Sequence, residues 1–492
     1  MPWCGPAFGP VQTNSIKRMF IMTTNRWRMG FHIMPPTGWL NDPNGLCYFK
    51  GLYHVFHQYS PKWPTGSERG WGHVTSPDLI HWTHHGMAID QTIPEDACGA
   101  YSGSACIVPD GAADGGNLLR LYYTGNVKEP GKHDYVLEGR QANQILIEST
   151  DGLNLGAKQV LLRNKDYPAC CSCHVRDPKV WYENGRFVML LGARDRCDQG
   201  FVLVMSSCDG LTWSPAGSIR PKRTFGFMWE CPDHLVIGNR EYLSFCPQGM
   251  TGYPWSNDLR DQSGYVELPD GMPVSKCQTI DTDRFRLWDF GFDFYAPQTF
   301  IDQHGRTIQF GWMGLPQAPF ESAPCDMGWI HCLTVPRELT RCPDGVISMR
   351  PVKELVQLHR EHMSFTQTGD GLHASTGAHR ADLHFTDIQG DFAIELDDEV
   401  RLSFTAGVLK LEFYNGRNGA GRGRKLRTVA TATITDLRIL IDDSAVEIFA
   451  NGGREVMSTR WFPLQNTLTV LARGNIANIH GWTMGDGMRN AY

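Results

Sequence analysis

Three acidic side chains are the first candidates for chemistry: Asp42, Asp177 and Glu230. Hydrolysis of a glycosidic bond with retention needs one ionised carboxylate to attack the anomeric carbon. It also needs one protonated carboxylic acid to release the leaving oxygen, with the two groups about 5–5.5 Å apart. Any one of these acids taken singly is more simply explained by a local turn, especially an Asp before Pro. They form a catalytic set only if the fold brings them into one pocket.

Each of these acids precedes the turn of a predicted hairpin by eight or nine residues. Four hairpins are predicted, over 46–56, 180–191, 235–245 and 299–311. Their turns are Lys50-Gly51, Asn184-Gly185, Gly238-Asn239 and His304-Gly305. Asn-Gly is the strongest of these signals, because both central residues of a type I′ turn need a positive φ. If each hairpin belongs to one blade of a propeller, the three acids project from equivalent innermost strands toward a common axis.

A repeated segment supports the propeller. Residues 76–82, 149–155 and 207–213 share Ser, Asp and apolar residues at matching offsets. Internal repetition of small sheets is typical of a propeller. The repeats start 73 and 58 residues apart (149−76 and 207−149), so long inserted loops are needed. A β-sandwich with recurrent turns is the alternative.

The composition of the 492 residues favours a β-rich protein that binds carbohydrate. The chain has 15 Trp, 15 Tyr and 24 Phe beside 52 Gly and 29 Pro, which suits short strands, tight turns and stacking on sugar rings. Its net charge of −6 provides no broad basic surface, so nucleic acid is not an expected partner.

Cysteine usage and the N-terminal region predict a cytoplasmic protein. The 15 cysteines are an odd number without framework spacing, which predicts free thiols in a reducing compartment. The cluster Cys170-Cys171-Ser172-Cys173 has no second pair at ligand spacing, so no metal site is predicted. The sequence contains no apolar run of about 18 residues, so no membrane span is predicted. Polar residues interrupt 1–31, where a secretion signal needs an apolar core. Residues 1–25 are predicted to be a disordered extension.

The segment 32–45 carries the most specific motif, with His32, then Pro35, then Leu40-Asn41-Asp42-Pro43-Asn44-Gly45. It closely resembles the opening signature of glycoside hydrolase family thirty-two, whose members cleave sucrose-type fructosides. Val175-Arg176-Asp177-Pro178 and Trp229-Glu230-Cys231-Pro232-Asp233 resemble two further family marks in the same order. The likeness covers nearly all of 26–490. It implies an all-β chain, a five-bladed β-propeller followed by a C-terminal β-sandwich.

By this resemblance Asp42 is the nucleophile, Glu230 the acid/base, and Asp177 a non-reacting carboxylate that holds fructose hydroxyls. The implied activity is that of a retaining β-fructofuranosidase, which hydrolyses sucrose, sucrose 6-phosphate or short fructo-oligosaccharides through a covalent fructosyl-enzyme. This chemistry requires no metal or organic cofactor.

Nine further residues are predicted to bind the substrate. They are Asn41, Gln58, Trp63, Trp71, Tyr101, Ser102, Arg176, Tyr295 and Trp312. The spacing of Trp63 is shorter than in the family pattern, and for Trp63, Tyr295 and Trp312 a place in the core is the competing interpretation. Lys62 and Arg69 are candidates for contact with a phosphate group.

The pattern changes near residue 350. The propeller is predicted over 26–350, a linker with one short helix over 351–365, and the sandwich over 366–492. Alternating strands are predicted at 392–395, 400–404, 409–414, 438–441, 445–450 and 468–472, with a loop at 415–425. The sandwich joins subunits in some members of the family, so the resemblance leaves a homo-oligomer open.

Two other functions remain as alternatives. An exo-acting fructanase on inulin or levan oligomers, or a fructosyltransferase, forms the same covalent intermediate, so the residues near Asp42 do not separate these activities. An inactive sugar-binding propeller belongs to another class. It is disfavoured because such a protein is expected to have lost one of Asp42, Asp177 and Glu230, and all three are present.

Overall fold

The computed structural model describes residues 27–66, 68–256, 259–316, 327–414 and 425–488. Strands dominate this part of the chain, and its helices are short 3-10 turns. The described turns are Pro94–Asp96, Asn164–Asp166, Pro254–Ser256, Val274–Lys276, Thr282–Arg284 and Lys353–Leu358. The extension predicted to be disordered, 1–25, lies outside the described residues.

The N-terminal part is a five-bladed β-propeller, as predicted. Blade 1 contains β1 (Gly38–Phe49), β2 (Leu52–Ser60), β3 (Gly70–Ser76) and β4 (Thr83–Ile89). Blade 2 contains β5 (Ala100–Val108), β6 (Leu118–Lys128), β7 (Arg140–Ser149) and β8 (Gln159–Leu162). Blade 3 contains β9 (Cys171–Glu183), β10 (Arg186–Asp195), β11 (Gly200–Ser207) and β12 (Ser214–Pro221).

The last two blades are interrupted by short connecting strands. Blade 4 contains β13 (Met228–Ile237), β14 (Arg240–Gln248), β15 (Gly264–Glu267) and β17 (Arg286–Leu287), while β16 (Thr279–Ile280) pairs with β12. Blade 5 contains β18 (Tyr295–Ile301), β19 (Thr307–Trp312), β21 (Arg337–Arg341) and β22 (Ile347–Pro351). Strand β20 (Trp329–Ile330) pairs in parallel with β1 and joins blade 5 to blade 1. The innermost strands β1, β5, β9, β13 and β18 contact one another in a closed cycle.

The four predicted hairpins are confirmed, and each forms the first two strands of a blade. Lys50 and Gly51 both have positive φ, as do Asn184 and Gly185, in agreement with type I′ geometry. The repeated Ser–Asp segment follows the third strand of blades 1, 2 and 3. In each copy the Asp accepts hydrogen bonds from the backbone two and three residues further on, as Asp209 does from Leu211 and Thr212 at 2.8 and 2.7 Å.

The C-terminal part is a β-sandwich whose two longest strands take part in both layers. Its strands are β23 (His359–His362), β24 (Thr366–Thr368), β25 (Gly371–Thr376), β26 (Arg380–Leu396), β27 (Val400–Thr405), β28 (Val408–Phe413), β29 (Leu426–Ala430), β30 (Asp436–Asp442), β31 (Ala445–Ala450), β32 (Glu455–Arg460) and β33 (Leu468–Met484). The first half of β26 pairs with β30 and its second half with β27, while β33 follows β26 along both halves. Buried Leu, Ile, Val and Phe side chains fill the space between the layers.

Two details of the region after residue 350 differ from the prediction, and a third lies largely outside the described residues. Most of the predicted loop 415–425 lies outside the described residues. The helix predicted within 351–365 is the single 3-10 segment Lys353–Leu358. The residues directly after it form β23, which pairs with β33, so part of the predicted linker belongs to the C-terminal sheet.

A buried seam of charged side chains joins the propeller to the sandwich. The backbone of Phe290 and Phe292 donates to the carbonyls of Val456 and Ser458 on β32, each at 2.8 Å. Around this pairing, the fully buried carboxylates of the sandwich and of segment 289–293 bind partners across the seam. These contacts are His32–Asp442, His32–Glu447, Arg337–Glu447, Asp289–Ser458 and Asp293–Arg460. The sandwich therefore holds the segment that leads directly into β18.

Candidate active site

The innermost strand of every blade is irregular at the same end of the propeller. The pairing of each with its hairpin partner shifts between Leu40 and Pro43, Ala100 and Gly103, Arg176 and Lys179, Glu230 and Asp233, and Tyr295 and Gln298. A β-bulge leaves residues unpaired and redirects their side chains, and such bulges occur beside active sites. The predicted site residues Asn41, Asp42, Tyr101, Ser102, Arg176, Asp177, Glu230 and Tyr295 all lie within or directly beside these shifts.

The pairing refines the predicted equivalence of the three acids. Arg176 pairs with Gly192 and Glu230 with Cys246, at the same distance from their hairpin turns. Glu230 is therefore equivalent to Arg176, and Asp177 is equivalent to Cys231. The predicted equivalence was based on the distance from each acid to the glycine of its turn. Glycine is the second residue of the turn Asn184-Gly185 and the first of the turn Gly238-Asn239, so this distance is shifted by one residue between the two hairpins.

Backbone strain accumulates at this end of the barrel of innermost strands. Asp177, Cys231 and Ala296 have φ values of 63°, 47° and 48°, and each stands directly before a proline. Positive φ is unfavourable for residues with a Cβ atom and is concentrated at functional sites, where the surrounding structure enforces it. The strained backbone supports the interpretation of these bulges as part of a functional site.

Asp42 is held by donors on both oxygens. The Ser102 hydroxyl donates to Oδ2 at 2.5 Å, and the Asn41 amide donates to Oδ1 at 3.0 Å. Loss of contact with bulk water raises the pKa of Asp42, the two hydrogen bonds lower it, and the charge of Glu230 raises it again. Asp42 and Glu230 thus interact electrostatically, although 188 residues separate them (230−42).

Cys231 brings the other carboxylates together. Its backbone N–H donates to Asp177 Oδ2 at 3.0 Å. Its thiol lies 3.7 Å from that oxygen and 3.6 Å from Asp42 Oδ2. Burial raises the pKa of Asp177 to about 7, since the nearby Arg176 opposes this rise only in part and Glu230 adds to it. Asp42 and Asp177 therefore lie on either side of the buried thiol of Cys231, the residue directly after Glu230.

Glu230 accepts hydrogen bonds from three side chains. Arg176 donates to Oε1 through Nη2 at 2.7 Å and Nε at 3.3 Å. The amide of Gln248 and the hydroxyl of Tyr295 both donate to Oε2 at 2.8 Å. Burial raises the pKa of Tyr295 well above its usual value, so its hydroxyl remains a donor. The carboxyl group is thus oriented from blades 3, 4 and 5 at once.

Aromatic rings line the site beside Asn41. Trp39 donates from Nε1 to Asn41 Oδ1 at 2.9 Å. Its ring lies 5.3 Å from Trp63, 6.0 Å from Trp312 and 4.3 Å from His331, measured between centroids. We call Trp39, Trp63, Trp312 and His331 the aromatic wall. Trp39 and His331 were not predicted as site residues. Trp39 lies within the recognised motif, and its spacing of two from Asn41 on a strand was the available signal.

Gln58 and Trp71 support the pocket from behind. Gln58 donates from Nε2 to the carbonyl of Ala100 at 2.9 Å. Trp71 is 0% exposed and packs in the core of blades 1 and 2, where Nε1 donates to the carbonyl of Tyr101 at 3.0 Å. A direct contact of Trp71 with substrate, as predicted, therefore does not match its position. Trp71 instead fixes the backbone of the bulge that carries Tyr101 and Ser102.

Basic residues near the site include two that the sequence did not single out. His174 accepts from Arg176 Nη1 at 2.9 Å and lies 3.4 Å from Arg140 Nη1. Of the earlier phosphate candidates, Lys62 pairs with Glu68 on an exposed loop. Arg140 begins β7 and is separated in sequence from every recognised motif, so no local pattern pointed to it.

The described residues contain no group of three His, Cys, Asp or Glu side chains arranged to hold a metal ion. Within the same ranges, none of the helices is long and apolar enough to cross a membrane. The cysteines that the structure describes are all free.

Comparisons with known proteins identify relatives over nearly the whole chain. The family model "Glycosyl hydrolases family 32 N-terminal domain" matches residues 32–351, and "Glycosyl hydrolases family 32 C terminal" matches 364–482. The sucrose-6-phosphate hydrolase of Bacillus subtilis (strain 168) is 34% identical, covering 95% of this chain and 96% of that protein. The raffinose invertase of Escherichia coli is 34% identical over 92% of both chains.

Solved structures give the same result. The sucrose-6-phosphate hydrolase from Lactobacillus gasseri superimposes with a TM-score of 0.81 at 26% identity, covering 95% of each chain. The resemblance recognised in segment 32–45 thus extends through the propeller and the sandwich. The chain belongs to glycosyl hydrolase family 32.

Proposed function

We propose that this protein is a retaining β-fructofuranosidase that hydrolyses sucrose or sucrose 6-phosphate. The observation that carries the proposal is the meeting of Asp42, Asp177 and Glu230 around Cys231 at one end of the propeller. The names of the relatives, sucrose-6-phosphate hydrolase and raffinose invertase, support the same substrate class.

The contacts of the carboxylates support a division of roles. Asp42 attacks C2 of the fructosyl unit, and Glu230 gives its proton to the glycosidic oxygen of the leaving glucosyl unit. Glu230 then takes a proton from water, which attacks C2 and releases fructose and Asp42. Asp177, which reacts at neither step, accepts hydrogen bonds from fructose hydroxyls as charge develops on the ring.

The predicted binding residues fit this arrangement as proposals. Asn41, Ser102 and Arg176 bind the carboxylates of Asp42 and Glu230 directly, which supports the proposal that they contact the sugar. Tyr295 orients Glu230, while Trp63 and Trp312 belong to the aromatic wall. Gln58 on blade 1 and Tyr101 on blade 2 are further proposed contacts of the substrate.

Product analysis tests the proposal. Wild-type protein is incubated with sucrose, sucrose 6-phosphate, 1-kestose and inulin, and the released sugars are separated by chromatography. We expect fructose with glucose or glucose 6-phosphate from the first two substrates. Faster release from inulin, or formation of longer fructosides in place of free fructose, would favour the exo-fructanase or the fructosyltransferase instead.

We further propose a cytoplasmic location, supported by the free cysteines among the described residues. A homo-oligomer remains a prediction that sedimentation of the full chain tests.

A further inference from the structure

Arg140 carries a positive charge that the described residues do not neutralise. Its guanidinium forms no ion pair with a carboxylate in the described ranges, and its buried Nε atom has no hydrogen-bond partner there. The neighbouring Arg176 and Arg194 differ in this respect, since Arg176 pairs with Glu230 and Arg194 with Asp198, both at 2.7 Å. A half-buried cation without a partner is unfavourable unless a ligand compensates it.

His174 connects Arg140 to the catalytic acid without supplying a negative charge. Arg140 Nη1 lies 3.5 and 3.4 Å from Nδ1 and Nε2 of His174, and Arg176 Nη1 donates to Nδ1 at 2.9 Å. Burial and the charges of Arg176 and Arg140 lower the pKa of His174 far below its usual value, so the imidazole is neutral. Two guanidinium groups thus face one neutral ring.

The position of this cluster relative to Glu230 decides which part of a substrate it meets. Glu230 Oε1 binds Arg176, which binds His174, which contacts Arg140. Burial lowers the pKa of Arg140 and the charge of Glu230 raises it, so Arg140 lies near the site. Under the proposed function, Glu230 protonates the oxygen of the leaving glucosyl unit. The cluster is therefore connected to the carboxyl group that acts on the leaving glucosyl unit.

We propose that Arg140, with His174, binds a phosphate group on C6 of the leaving glucosyl unit and makes the enzyme selective for sucrose 6-phosphate over sucrose. The inference rests on the proposed function and adds the determinant of its substrate. A guanidinium binds phosphate oxygens through parallel N–H donors, and the dianionic ester supplies the negative charge that the cluster lacks. A neutral glucosyl unit supplies none.

Steady-state kinetics with both substrates test the proposal. We compare kcat/KM for sucrose 6-phosphate and for sucrose in the wild type, Arg140→Gln and Arg140→Lys. We expect Arg140→Gln to lower the ratio of the two values by roughly ten- to hundredfold, as for a lost hydrogen-bonded charge contact. Arg140→Lys, which keeps the charge and loses the paired donors, should fall between. Arg163→Gln is the control, because Arg163 pairs with Glu95 on the surface and should keep the wild-type ratio.

Product inhibition identifies the group that is bound. Glucose 6-phosphate, glucose, fructose 6-phosphate and inorganic phosphate are compared as inhibitors of sucrose hydrolysis. We expect glucose 6-phosphate to inhibit the wild type more strongly than glucose and inorganic phosphate, and Arg140→Gln to remove this difference. Inhibition by fructose 6-phosphate should not depend on Arg140. If only the inhibition by fructose 6-phosphate depends on Arg140, the phosphate binds on the fructosyl side and the proposal is overturned.

The remaining outcomes separate this inference from the proposed function. If Arg140→Gln lowers kcat/KM equally for both substrates, or if its ratio stays at the wild-type value, Arg140 has only a structural role and the inference fails. The same holds if the wild type cleaves sucrose but not sucrose 6-phosphate. If the wild type cleaves neither, the proposed function itself fails. Thermal unfolding of each variant detects misfolding. If Arg140→Gln does not fold, the ratio of the two kcat/KM values in Arg140→Lys decides instead.

Discussion

The Ser102 hydroxyl donates a 2.5 Å hydrogen bond to Oδ2 of Asp42, although the two residues lie on innermost strands of different blades. The bond spans the junction of blades 1 and 2. It holds one oxygen of the proposed nucleophile and opposes the rise in the pKa of Asp42 that burial causes.

We expect Ser102→Ala to raise the pKa of Asp42 further, because burial then acts with one opposing hydrogen bond fewer. As the proposed nucleophile, Asp42 attacks the sugar only when it is ionised, so activity should fall as the pH decreases through this pKa. The acidic limb of the kcat/KM profile should therefore move to higher pH. Ser104→Ala is the control, since the Ser104 hydroxyl accepts from Val180 N and does not contact Asp42. An acidic limb at the wild-type position would contradict the role of Ser102.

Substitution of the two catalytic carboxyl groups should give different patterns with different leaving groups. Glu230→Gln removes the proposed proton donor, and we expect kcat on sucrose to fall about 10²- to 10⁴-fold. An aryl fructoside with an acidic phenol needs little protonation, so Glu230→Gln should form the fructosyl-enzyme from it readily. Asp42→Asn should be inactive on both substrates.

The matched control for this pair is Glu241→Gln, which removes a carboxylate on the adjacent strand β14 that pairs with His234. It should keep near wild-type kcat. Stopped-flow measurement of phenol release checks the first step. A burst in Asp42→Asn, or none in Glu230→Gln, would reverse the assignment.

Trp39→Phe tests a residue found only from the structure. The change keeps an aromatic ring in the wall but removes the Nε1 donor to Asn41 Oδ1. Asn41 then loses the contact that orients its amide toward Asp42, and we expect kcat/KM for sucrose to fall several-fold, with most of the effect in kcat. Trp181→Phe is a suitable control, because its indole binds Glu183 away from the site. Equal losses in the two variants would remove Trp39 from the catalytic arrangement.

The seam between the domains should make stability depend on pH. Burial alone lowers the pKa of His32, but its hydrogen bonds with Asp442 and Glu447 prevail and raise the pKa to about 9. A rise from 6.5 to about 9 corresponds to about 3 kcal/mol in favour of the folded state. This contribution is complete below pH 6.5 and is lost as the pH rises through about 9.

His32→Gln should therefore be less stable than the wild type at pH 6, and the difference in Tm should narrow toward pH 10. The wild type should also weaken in strong acid, because its contacts, those with His32 among them, lower the pKa values of Asp442 and Glu447 against the effect of burial, and this contribution disappears as the two groups are protonated. Calorimetry from pH 5 to 10 measures the difference in Tm between the two proteins, with the exposed turn variant His304→Gln as control. A constant difference across that range would show that His32 is not protonated in the seam.

Much of the fold followed from local signals in the sequence. Turn residues such as Asn184-Gly185 fix hairpin geometry by themselves, and the repeated Ser–Asp segment binds its own backbone, so both are visible without the rest of the chain. The long strands β26 and β33 were predicted only in part. Each bends between two layers, and the alternation of buried and exposed residues changes where it does so.

The site was predictable where a motif is contiguous and not where it depends on pairing across blades. The acids stand in recognisable motifs, whereas the equivalence of Glu230 with Arg176 depends on the register of two hairpins. Arg140 reaches the site from the third strand of blade 2, and Gln248 reaches it from the second strand of blade 4. Neither position carries a local sequence signal.

The charged seam has a consequence for any attempt to shorten the enzyme. Asp293 is two residues from Tyr295, and its partner Arg460 belongs to the sandwich. An excised propeller would keep the ion pair of Arg337 with Asp289. It would lose Glu447, the second partner of Arg337, and Arg460, the partner of Asp293, next to the strand that orients Glu230. Gene fragments encoding either half alone should therefore yield insoluble or inactive product, and mixing the two halves should restore turnover only when both are present during refolding.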